Sequence, residues 1–414
     1  MKLKINIITF YKIVIVLVFF LNLGFLNISM NITGISMYFS IIITSILFFV
    51  FLFKTNDIKR YLLIIGYCIL LLVILICQFL RPKYFFADTS ELLRMYLPFL
   101  LIFLAFPISQ VIDKTNNFKL LEIICILGYT ILVLRTIYWG MFNFFNINVA
   151  PGSIIPDWTR ALGGRVFTRL PGIFLNGYIV IISWYNLLYK QKLIYLSGLV
   201  FMLFYSVIVT QSRAGIIELL MISLIILLFY TYNTKDRLVR GIFVTIFILF
   251  VFILAIPHIV GFLDTFSTSN LKYGGSTLTR QKGYQFYLDL WLNDRVWGIG
   301  LIPDNIQIDR WLTYYLSDYN FIINLYEFGY VGFFILLIPF LYGIKISFLI
   351  LHKKLYINNN VLLIQIFLTV FLIIDMFFQN IYLAQNITLL PLYVGISISA
   401  ANRIKEKIYN VYTK

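Results

Sequence analysis

Arginine residues stand out in the segments that connect the longest apolar runs of this sequence. Arg213 lies between two such runs in the sequence Thr-Gln-Ser-Arg-Ala-Gly, and Arg280 lies in a polar stretch further along. The other arginines of this kind are Arg160, Arg165, Arg169 and Arg295. A guanidinium group is planar and always charged, and its N–H groups fit the oxygens of phosphate and carboxylate groups. These residues predict a site for an anionic ligand, with surface ion pairs to neighbouring acids as the alternative.

Four carboxyl groups are candidates for acid–base chemistry beside these arginines. Asp318 ends a long polar segment just before an apolar run, where a carboxylate could take a proton from a hydroxyl group. Glu218, Glu327 and Asp375 lie within apolar runs. Ionisable residues in such runs are functional candidates by default, but each of these three could also be the structural partner of a basic residue.

Several kinds of chemistry are excluded by the motifs that the sequence lacks. It has no glycine-rich phosphate loop ending in Lys-Ser or Lys-Thr, so ATP hydrolysis is not expected on this chain. It also has no His-Glu-x-x-His motif and no nucleophile elbow. The histidines and cysteines form no metal-ligand spacing, and the cysteines lie in apolar runs. We expect no metal ion, no cofactor and no disulfide.

The elements that position these residues must lie in a membrane. The chain has 414 residues, of which 61% are hydrophobic and only 12% are charged. A soluble domain has about 45–50% apolar and about 25% charged residues, and disordered chains are poor in apolar residues. Both classes are therefore excluded. Because the apolar runs are too long and continuous for barrel strands, the sequence predicts an all-α polytopic integral membrane protein.

Apolar runs of spanning length predict about twelve transmembrane helices in a single membrane domain, 1–414. The predicted spans are 10–29, 35–53, 61–80, 95–112, 119–141, 171–189, 193–210, 214–232, 240–263, 320–344, 347–378 (with a core at 360–378) and 384–402. With the N-terminus in the cytoplasm, the connections on that side carry most of the lysines, as the positive-inside rule requires. Both termini are then cytoplasmic, and the candidate arginines lie on the outer side.

Two predicted outer connections are long, at about 142–170 and 264–319. Within the second, 277–293 predicts an amphipathic helix. Its apolar side carries Leu278, Phe286, Leu290 and Trp291, and its polar side carries Arg280, Gln281 and Tyr284. A glycine-containing turn follows at 294–300, and 304–318 predicts another short helix. Aromatic residues at this level are typical of a membrane-interface belt or of a surface that stacks on sugar rings.

An outer cluster of arginines in a membrane protein favours an anionic lipid head group as its ligand. A polyprenyl diphosphate carrier fits, with an apolar tail for the helices and a diphosphate for the arginines. The arginines would neutralise the diphosphate as it leaves, and a base would take the proton of an incoming hydroxyl group. No metal ion is needed if the guanidinium groups carry this charge.

The order of these segments resembles that in the superfamily of O-antigen ligases and Wzy-type O-antigen or capsule polymerases. The segments that carry the resemblance are 169–176, 210–215, 279–280, 291–300, 317–320 and 325–332, and they cover about 160–335. The resemblance implies a C-type glycosyltransferase of the bacterial plasma (inner) membrane. Such enzymes transfer a glycan from undecaprenyl diphosphate to an acceptor hydroxyl, without a nucleotide sugar and without a metal ion.

The resemblance also implies roles for individual residues. Arg213 and Arg280 would contact the diphosphate, while Arg165 and Arg169 would bind the diphosphate or the glycan. The expected substrate-binding set also contains Arg160, Arg295, Tyr284 and Asn320. Ligases typically carry a histidine where this chain has Ser-Asp-Tyr-Asn at 317–320. This departure favours a polymerase, with Asp318 as the candidate base.

The sequence therefore predicts a polysaccharide polymerase that joins lipid-linked repeat units in O-antigen or capsule biosynthesis. One alternative is an O-antigen ligase, which uses the same donor with lipid A-core as the acceptor. The alternative of another class is a polysaccharide-related transporter or flippase, although the two halves of the chain show no convincing repeat. The expected partners are the undecaprenyl-diphosphate-linked glycan, the lipid bilayer and a chain-length regulator protein, with no nucleic acid.

Overall fold

The computed structural model describes residues 6–23, 30–55, 58–81, 89–115, 118–149, 159–162, 165–170, 175–233, 274–303, 305–309, 312–315, 319–357, 359–382 and 386–412. This part of the chain is mostly helical. The helices are α1 (Ile7–Asn22), α2 (Met30–Lys54), α3 (Leu62–Leu80), α4 (Thr89–Tyr96), α5 (Ala105–Thr115), α6 (Lys119–Phe145), α7 (Asn176–Tyr189), α8 (Ile194–Phe204), α9 (Arg213–Asn233), α10 (Gly274–Trp291), α11 (Ile323–His352), α12 (Asn360–Phe378) and α13 (Leu389–Tyr412). Short 3₁₀ segments precede α3 (Ile58–Tyr61) and join α4 to α5 (Leu97–Leu104), and a π-helix follows α8 (Tyr205–Val209).

Seven helical segments of the described residues are long and apolar enough to cross a membrane. They are Gly34–Lys54, Ile58–Leu80, Thr89–Lys114, Lys119–Phe145, Arg213–Tyr232, Ile323–His352 and Asn360–Phe378. Two shorter apolar helices, Ile7–Asn22 and Ile194–Val209, accompany them. The chain is thus a mostly helical, multi-pass membrane protein, as its composition predicts. The number of about twelve spans stays a prediction, and the predicted span 240–263 lies outside the described residues.

The long apolar run at 347–378 is divided into two helices in the structure. Helix α11 ends at His352, and a turn occupies 353–357. Helix α12 begins after Asn359, whose side chain accepts a hydrogen bond from the backbone N–H of Leu362 at 3.3 Å. This cap satisfies one of the N–H groups that the first turn of a helix leaves without a partner. The core at 360–378 within that prediction therefore matches α12.

Two β-hairpins lie among the helices. Strands β1 (Thr159–Leu162) and β2 (Arg165–Thr168) pair antiparallel, with Thr159 opposite Thr168. Strands β3 (Asn305–Asp309) and β4 (Leu312–Tyr315) also pair antiparallel, with Asn305 opposite Tyr315. The second hairpin overturns the prediction of a short helix at 304–318. Alternation along the two strands puts Ile306 and Tyr314 on one face, where both are buried.

The amphipathic helix predicted at 277–293 is present as α10 (Gly274–Trp291), but its buried side differs from the prediction. Gly283, Tyr287 and Trp291 form that side, one helical turn apart, and the rings of Tyr287 and Tyr319 lie 5.3 Å apart. Leu278 is 42% exposed although it was expected on the apolar side. A glycine at 283 is required because a Cβ there would overlap the hydroxyl group of Tyr319.

Polar contacts tie together the helix ends that the sequence assigns to the same side of the membrane. At the predicted cytoplasmic, or inner, end, Lys190 forms an ion pair with Glu122 at 2.9 Å, and Asp113 accepts a hydrogen bond from Asn402 at 2.7 Å. At the opposite, or outer, end, Arg81 pairs with Asp294. These contacts agree with alternating helix directions. Which end faces the cytoplasm stays a prediction.

Helix α11 is interrupted near its outer end. Gly329 has φ 62° and ψ −170°, outside the helical region. The chain before Gly329 folds back along the longer part of α11, because the Phe321 ring lies 5.3 Å from that of Phe333 and 5.6 Å from that of Phe340. The residues around Asn320 therefore lie among the membrane helices.

Candidate functional site

A tight hairpin between the π-helix and α9 holds Arg213. Gln211 adopts φ 51°, which reverses the chain, and the Ser212 hydroxyl accepts a hydrogen bond from the backbone N–H of Gly215 at 3.1 Å. Ser212 is thus the N-cap of α9, and Arg213 is its first residue. The N-terminus of a helix carries a partial positive charge and favours anions, and the guanidinium group adds a full positive charge at the same place. The position of Arg213 is therefore suited to anion binding.

Strand β2 leads Arg169 to the same hairpin. The backbone N–H of Leu170 donates to the carbonyl oxygen of Val209 at 3.1 Å. Thr168, the residue before Arg169, accepts a hydrogen bond at its backbone carbonyl oxygen from Nε1 of Trp139 at 2.8 Å. Arg169 is half-buried between these anchored residues. Arg160 and Arg165 belong to β1 and β2, and the positions of their side chains lie outside what the structure describes.

Arg135 is a buried arginine that the sequence reasoning did not include in the site. Its side chain is 2% exposed on α6, and its Nε donates to the hydroxyl group of Tyr205 at 3.3 Å. Tyr205 begins the π-helix, a conformation found frequently at functional sites. Trp139 lies one turn after Arg135 on α6 and contacts Thr168. Arg135 is therefore one turn deeper in the bundle than this contact with the segment that carries Arg169. The signal in the sequence was a charged residue within an apolar run.

Glu218 and Asp375 form a pair of buried carboxyl groups at the outer end. Glu218 is 1% exposed and Asp375 is 6% exposed, and Gln379 contacts both residues, since its backbone N–H donates to the carbonyl oxygen of Asp375 at 2.7 Å. Nε2 of Gln379 donates to both oxygens of Glu218 at 3.1 Å. Neither acid forms an ion pair in the part of the chain that the structure describes. The interpretation of Glu218 and Asp375 as partners of basic residues is therefore wrong there.

A chain of amide side chains connects this pair to the first turn of α11. Asn386 donates to Oε1 of Gln379 at 3.3 Å and to the backbone carbonyl of Asn380 at 3.1 Å. Asn324 donates to Oδ1 of Asn380 at 2.9 Å. One turn before Asn324, Nδ2 of Asn320 donates to the carbonyl oxygen of Phe377 at 3.2 Å. Asn320 is thus held against the last turn of α12.

Helix α10 joins this network through Tyr284. Its hydroxyl accepts a hydrogen bond from the backbone N–H of Asn320 at 3.2 Å, and its ring lies 4.7 Å from that of Tyr319. Arg280 lies one turn before Tyr284 and is half-buried. The prediction that placed Tyr284 on the polar side is incomplete. Its ring packs on that of Tyr319, while its hydroxyl group accepts the hydrogen bond from Asn320. Asp318, the candidate base, lies outside the described residues.

A third buried carboxyl group, that of Glu327, lies at the interruption of α11. It is 2% exposed and accepts hydrogen bonds from the Tyr96 hydroxyl and from the backbone N–H of Ile302, the latter at 3.4 Å. It too forms no ion pair within the described ranges, so the expected basic partner is absent there. Arg295 lies nearby with its Cζ 6.0 Å from the centre of the Trp291 ring.

Contacts therefore connect several of the residues predicted for the site. Arg169 and Arg213 flank the same hairpin, α9 links Arg213 to Glu218, and the amide chain continues from Glu218 to Asn320 and Tyr284. Arg295 belongs to the separate contact around Trp291. Among the residues that the structure describes, no group of three or more His, Cys, Asp or Glu side chains could hold a metal ion.

The chain matches no protein-family model, and no curated protein sequence matches it significantly.

Proposed function

We propose that the chain is a bacterial polysaccharide polymerase of the C-type glycosyltransferase kind. It would join undecaprenyl-diphosphate-linked repeat units on the outer face of the plasma (inner) membrane, in O-antigen or capsule biosynthesis. Both termini would be cytoplasmic, and a chain-length regulator protein is a further expected partner. The proposal rests on the resemblance of the segments at 160–335 and on the geometry of the hairpin that holds Arg213.

The main support is the placement of Arg213 as the first residue of α9. A guanidinium group and the N–H groups of a helix N-terminus both bind phosphate oxygens, so a diphosphate at this position could contact both. Arg169 lies beside the same hairpin. In the reaction, these groups would stabilise the negative charge that grows on the diphosphate as the sugar–oxygen bond breaks.

The test is the substitution of Arg213. We expect Arg213→Ala to lower the rate of chain elongation about 100-fold or more, as removal of a single oxyanion-stabilising donor does. Cells would then accumulate single repeat units, visible by gel electrophoresis of the extracted glycan. Arg213→Lys should retain part of the activity, since it keeps the charge and loses the planar fork.

Lys282→Ala is the matched control, because Lys282 is an exposed basic residue on α10 outside the proposed site. It should leave the chain length unchanged. Long chains in the Arg213→Ala variant, at a normal level of protein in the membrane, would overturn the proposed mechanism. If polymer instead accumulates on the carrier lipid and no longer reaches lipid A-core, the activity is that of the ligase.

A transporter or flippase is the second candidate, and two observations favour it. Buried carboxyl groups within membrane helices are common in proton or ion pathways, and Glu218, Glu327 and Asp375 are of this kind. Interrupted helices such as α11 also occur at transport sites. Movement of lipid-linked glycan by the purified protein in liposomes, without lengthening of the glycan, would decide for this candidate.

A further inference from the structure

Three helices meet at the outer end of the molecule and bury polar side chains where they do so. Helices α7, α9 and α12 pack against one another. Gln379 connects Glu218 of α9 with Asp375 of α12 in this junction, because its side chain donates to both oxygens of Glu218 at 3.1 Å and its backbone N–H donates to the carbonyl oxygen of Asp375 at 2.7 Å.

Asn176 of α7 is an independent sign that the junction has a ligand. Its side chain is 6% exposed, and within the described ranges neither its Oδ1 nor its Nδ2 has a hydrogen-bond partner. Buried polar groups are nearly always hydrogen-bonded, and an unpaired amide costs about 1–3 kcal/mol. Such a side chain is therefore expected to meet a group that the described residues do not supply.

The level of Asn176 in the bundle matches that of the acid pair. The neighbouring Gly177 packs so closely on the Phe371 ring that a Cβ at this position would overlap it. Asp375 lies one turn beyond Phe371 on α12, toward the outer end. The side chain of Asn176 leans toward the start of α7 and that of Asp375 toward the start of α12, so the two approach each other.

A ligand of Asn176 must both donate and accept hydrogen bonds, because its amide has a donor and an acceptor that no described residue uses. A hydroxyl group has this property, and a carboxylate beside it can take its proton. Glu218 lies five residues after Arg213, which corresponds to about 7.5 Å along the helix axis. The hydroxyl and the diphosphate would thus lie at neighbouring depths along α9.

We infer that the junction of Asn176, Glu218 and Asp375 binds the sugar hydroxyl of the acceptor chain, and that the acid pair is the base of the transfer reaction. The inference rests on the proposed function. The acceptor oxygen forms the new bond to the sugar carbon of the donor, and its proton goes to the carboxylate pair. The bond from that carbon to the diphosphate breaks, and its electrons stay on the diphosphate oxygen beside Arg213.

The test compares Asp375→Asn with Asp289→Asn, a change of an exposed acid on α10. Elongation is measured in membrane vesicles that contain the endogenous lipid-linked repeat units, and affinity is measured with undecaprenyl diphosphate and the purified protein. We expect Asp375→Asn to lower elongation about 100-fold or more while its affinity for undecaprenyl diphosphate stays within about twofold. Asp289→Asn should match the wild type in both measurements.

Three further variants separate catalysis from folding. Asn176→Ala removes the amide that would bind the acceptor hydroxyl group. It should therefore raise the concentration of acceptor needed for half-maximal elongation. Glu218→Gln should lower the elongation rate, and Asp375→Glu should restore part of it relative to Asp375→Asn. These changes carry the test if Asp375→Asn does not accumulate in the membrane.

Wild-type elongation by Asp375→Asn and Glu218→Gln would overturn the inference and leave the proposed function intact. The same holds if Asp318→Asn alone abolishes elongation, because Asp318 would then be the base. A parallel loss of elongation and of undecaprenyl diphosphate affinity in Asp375→Asn would show a structural role instead. If the wild-type protein elongates no glycan in these vesicles, the proposed function itself is wrong.

Discussion

The buried acids of the membrane helices contact uncharged donors or another acid in the described part of the chain, and none of them forms an ion pair there. Glu327 contacts the Tyr96 hydroxyl and the Ile302 amide, while Glu218 contacts the Gln379 amide. Uncharged donors satisfy the carboxyl oxygens without burying a second charge, whose desolvation would be unfavourable. Specific tyrosine and amide side chains are therefore part of what makes these acids tolerable in the membrane.

The first prediction concerns the contact between Tyr96 and Glu327. We expect Tyr96→Phe to lower the free energy of unfolding by about 1–3 kcal/mol, because the buried carboxyl group of Glu327 then loses a donor. Thermal unfolding of the protein in detergent measures this change. Tyr330→Phe is the matched control, since Tyr330 lies on α11, the helix that carries Glu327, but is 43% exposed. Equal melting temperatures for the two variants would show that the contact adds nothing to stability.

At the scale of single residues, the sequence identifies the buried acids but does not predict the side chains that they contact. Glu218, Glu327 and Asp375 are visible as charges in apolar runs. Their partners, such as Gln379 and Tyr96, are distant in sequence and of ordinary polarity, so no local pattern predicts these contacts. Asn176 lies in the segment 169–176 that carries the resemblance, but no sequence pattern predicts that its amide stays unpaired among the described residues, because this follows from the packing of three helices.

At the scale of elements, the interrupted helix α11 and the turn at 294–300 form one unit. The backbone N–H groups of Ile299 and Gly300 donate to the carbonyl oxygens of Tyr326 and Glu327 at 2.8 and 3.0 Å. In return, the N–H of Tyr330 donates to the carbonyl oxygen of Arg295 at 3.0 Å. The turn thus supplies the hydrogen bonds that the broken helix lacks, which a buried backbone requires.

The second prediction follows from the glycines at this contact. Gly298 and Gly329 have φ values of 76° and 62°, and a Cβ on either would overlap backbone atoms of the other segment. We expect Gly329→Ala and Gly298→Ala each to lower the free energy of unfolding by at least about 2 kcal/mol, through backbone strain and displacement of the turn. Melting temperatures in detergent check this expectation.

Gly275→Ala is the control for these two variants. Gly275 is exposed near the start of α10, and a Cβ there would meet no atom within 4 Å. Alanine favours helix by about 1 kcal/mol over glycine, so this variant should be as stable as the wild type or slightly more stable. A loss of stability in Gly275→Ala similar to that in Gly329→Ala would contradict the role given to the close backbone contact.

The sequence predicts the elements unevenly. Long apolar runs and the pattern at 277–293 predict helices correctly, because burial of one face dominates their folding. The pattern at 304–318 predicts a helix wrongly, since its aromatic residues suit either a helix or the β3–β4 hairpin. The fold-back before Gly329 is invisible in the sequence, because it depends on ring contacts of Phe321 with residues further along α11.

At the scale of the whole molecule, the arrangement of charge contacts fits one orientation of the helices. Lys190 and Lys192 both reach Glu122 at one end, and Arg81 reaches Asp294 at the other. The site described above lies wholly at the second end. The proposed activity on the outer face therefore requires that this end face outward. The basic residues predict this orientation, and a direct measurement can establish it.

The last prediction concerns this orientation and uses D289C and K353C. Asp289 on α10 and Lys353 after α11 are both exposed, and α11 separates them along the chain. In a background without Cys68, Cys77 and Cys125, a membrane-impermeant maleimide should label D289C in intact spheroplasts, and K353C only after permeabilisation. Solubilised protein, in which both cysteines must react, is the control.

The reverse pattern would place the site in the cytoplasm, and labelling of both from outside would show that α11 does not cross the membrane. Only the reverse pattern would rule out a polymerase acting on the outer face, because the arginine-bearing hairpin would then face the cytoplasm.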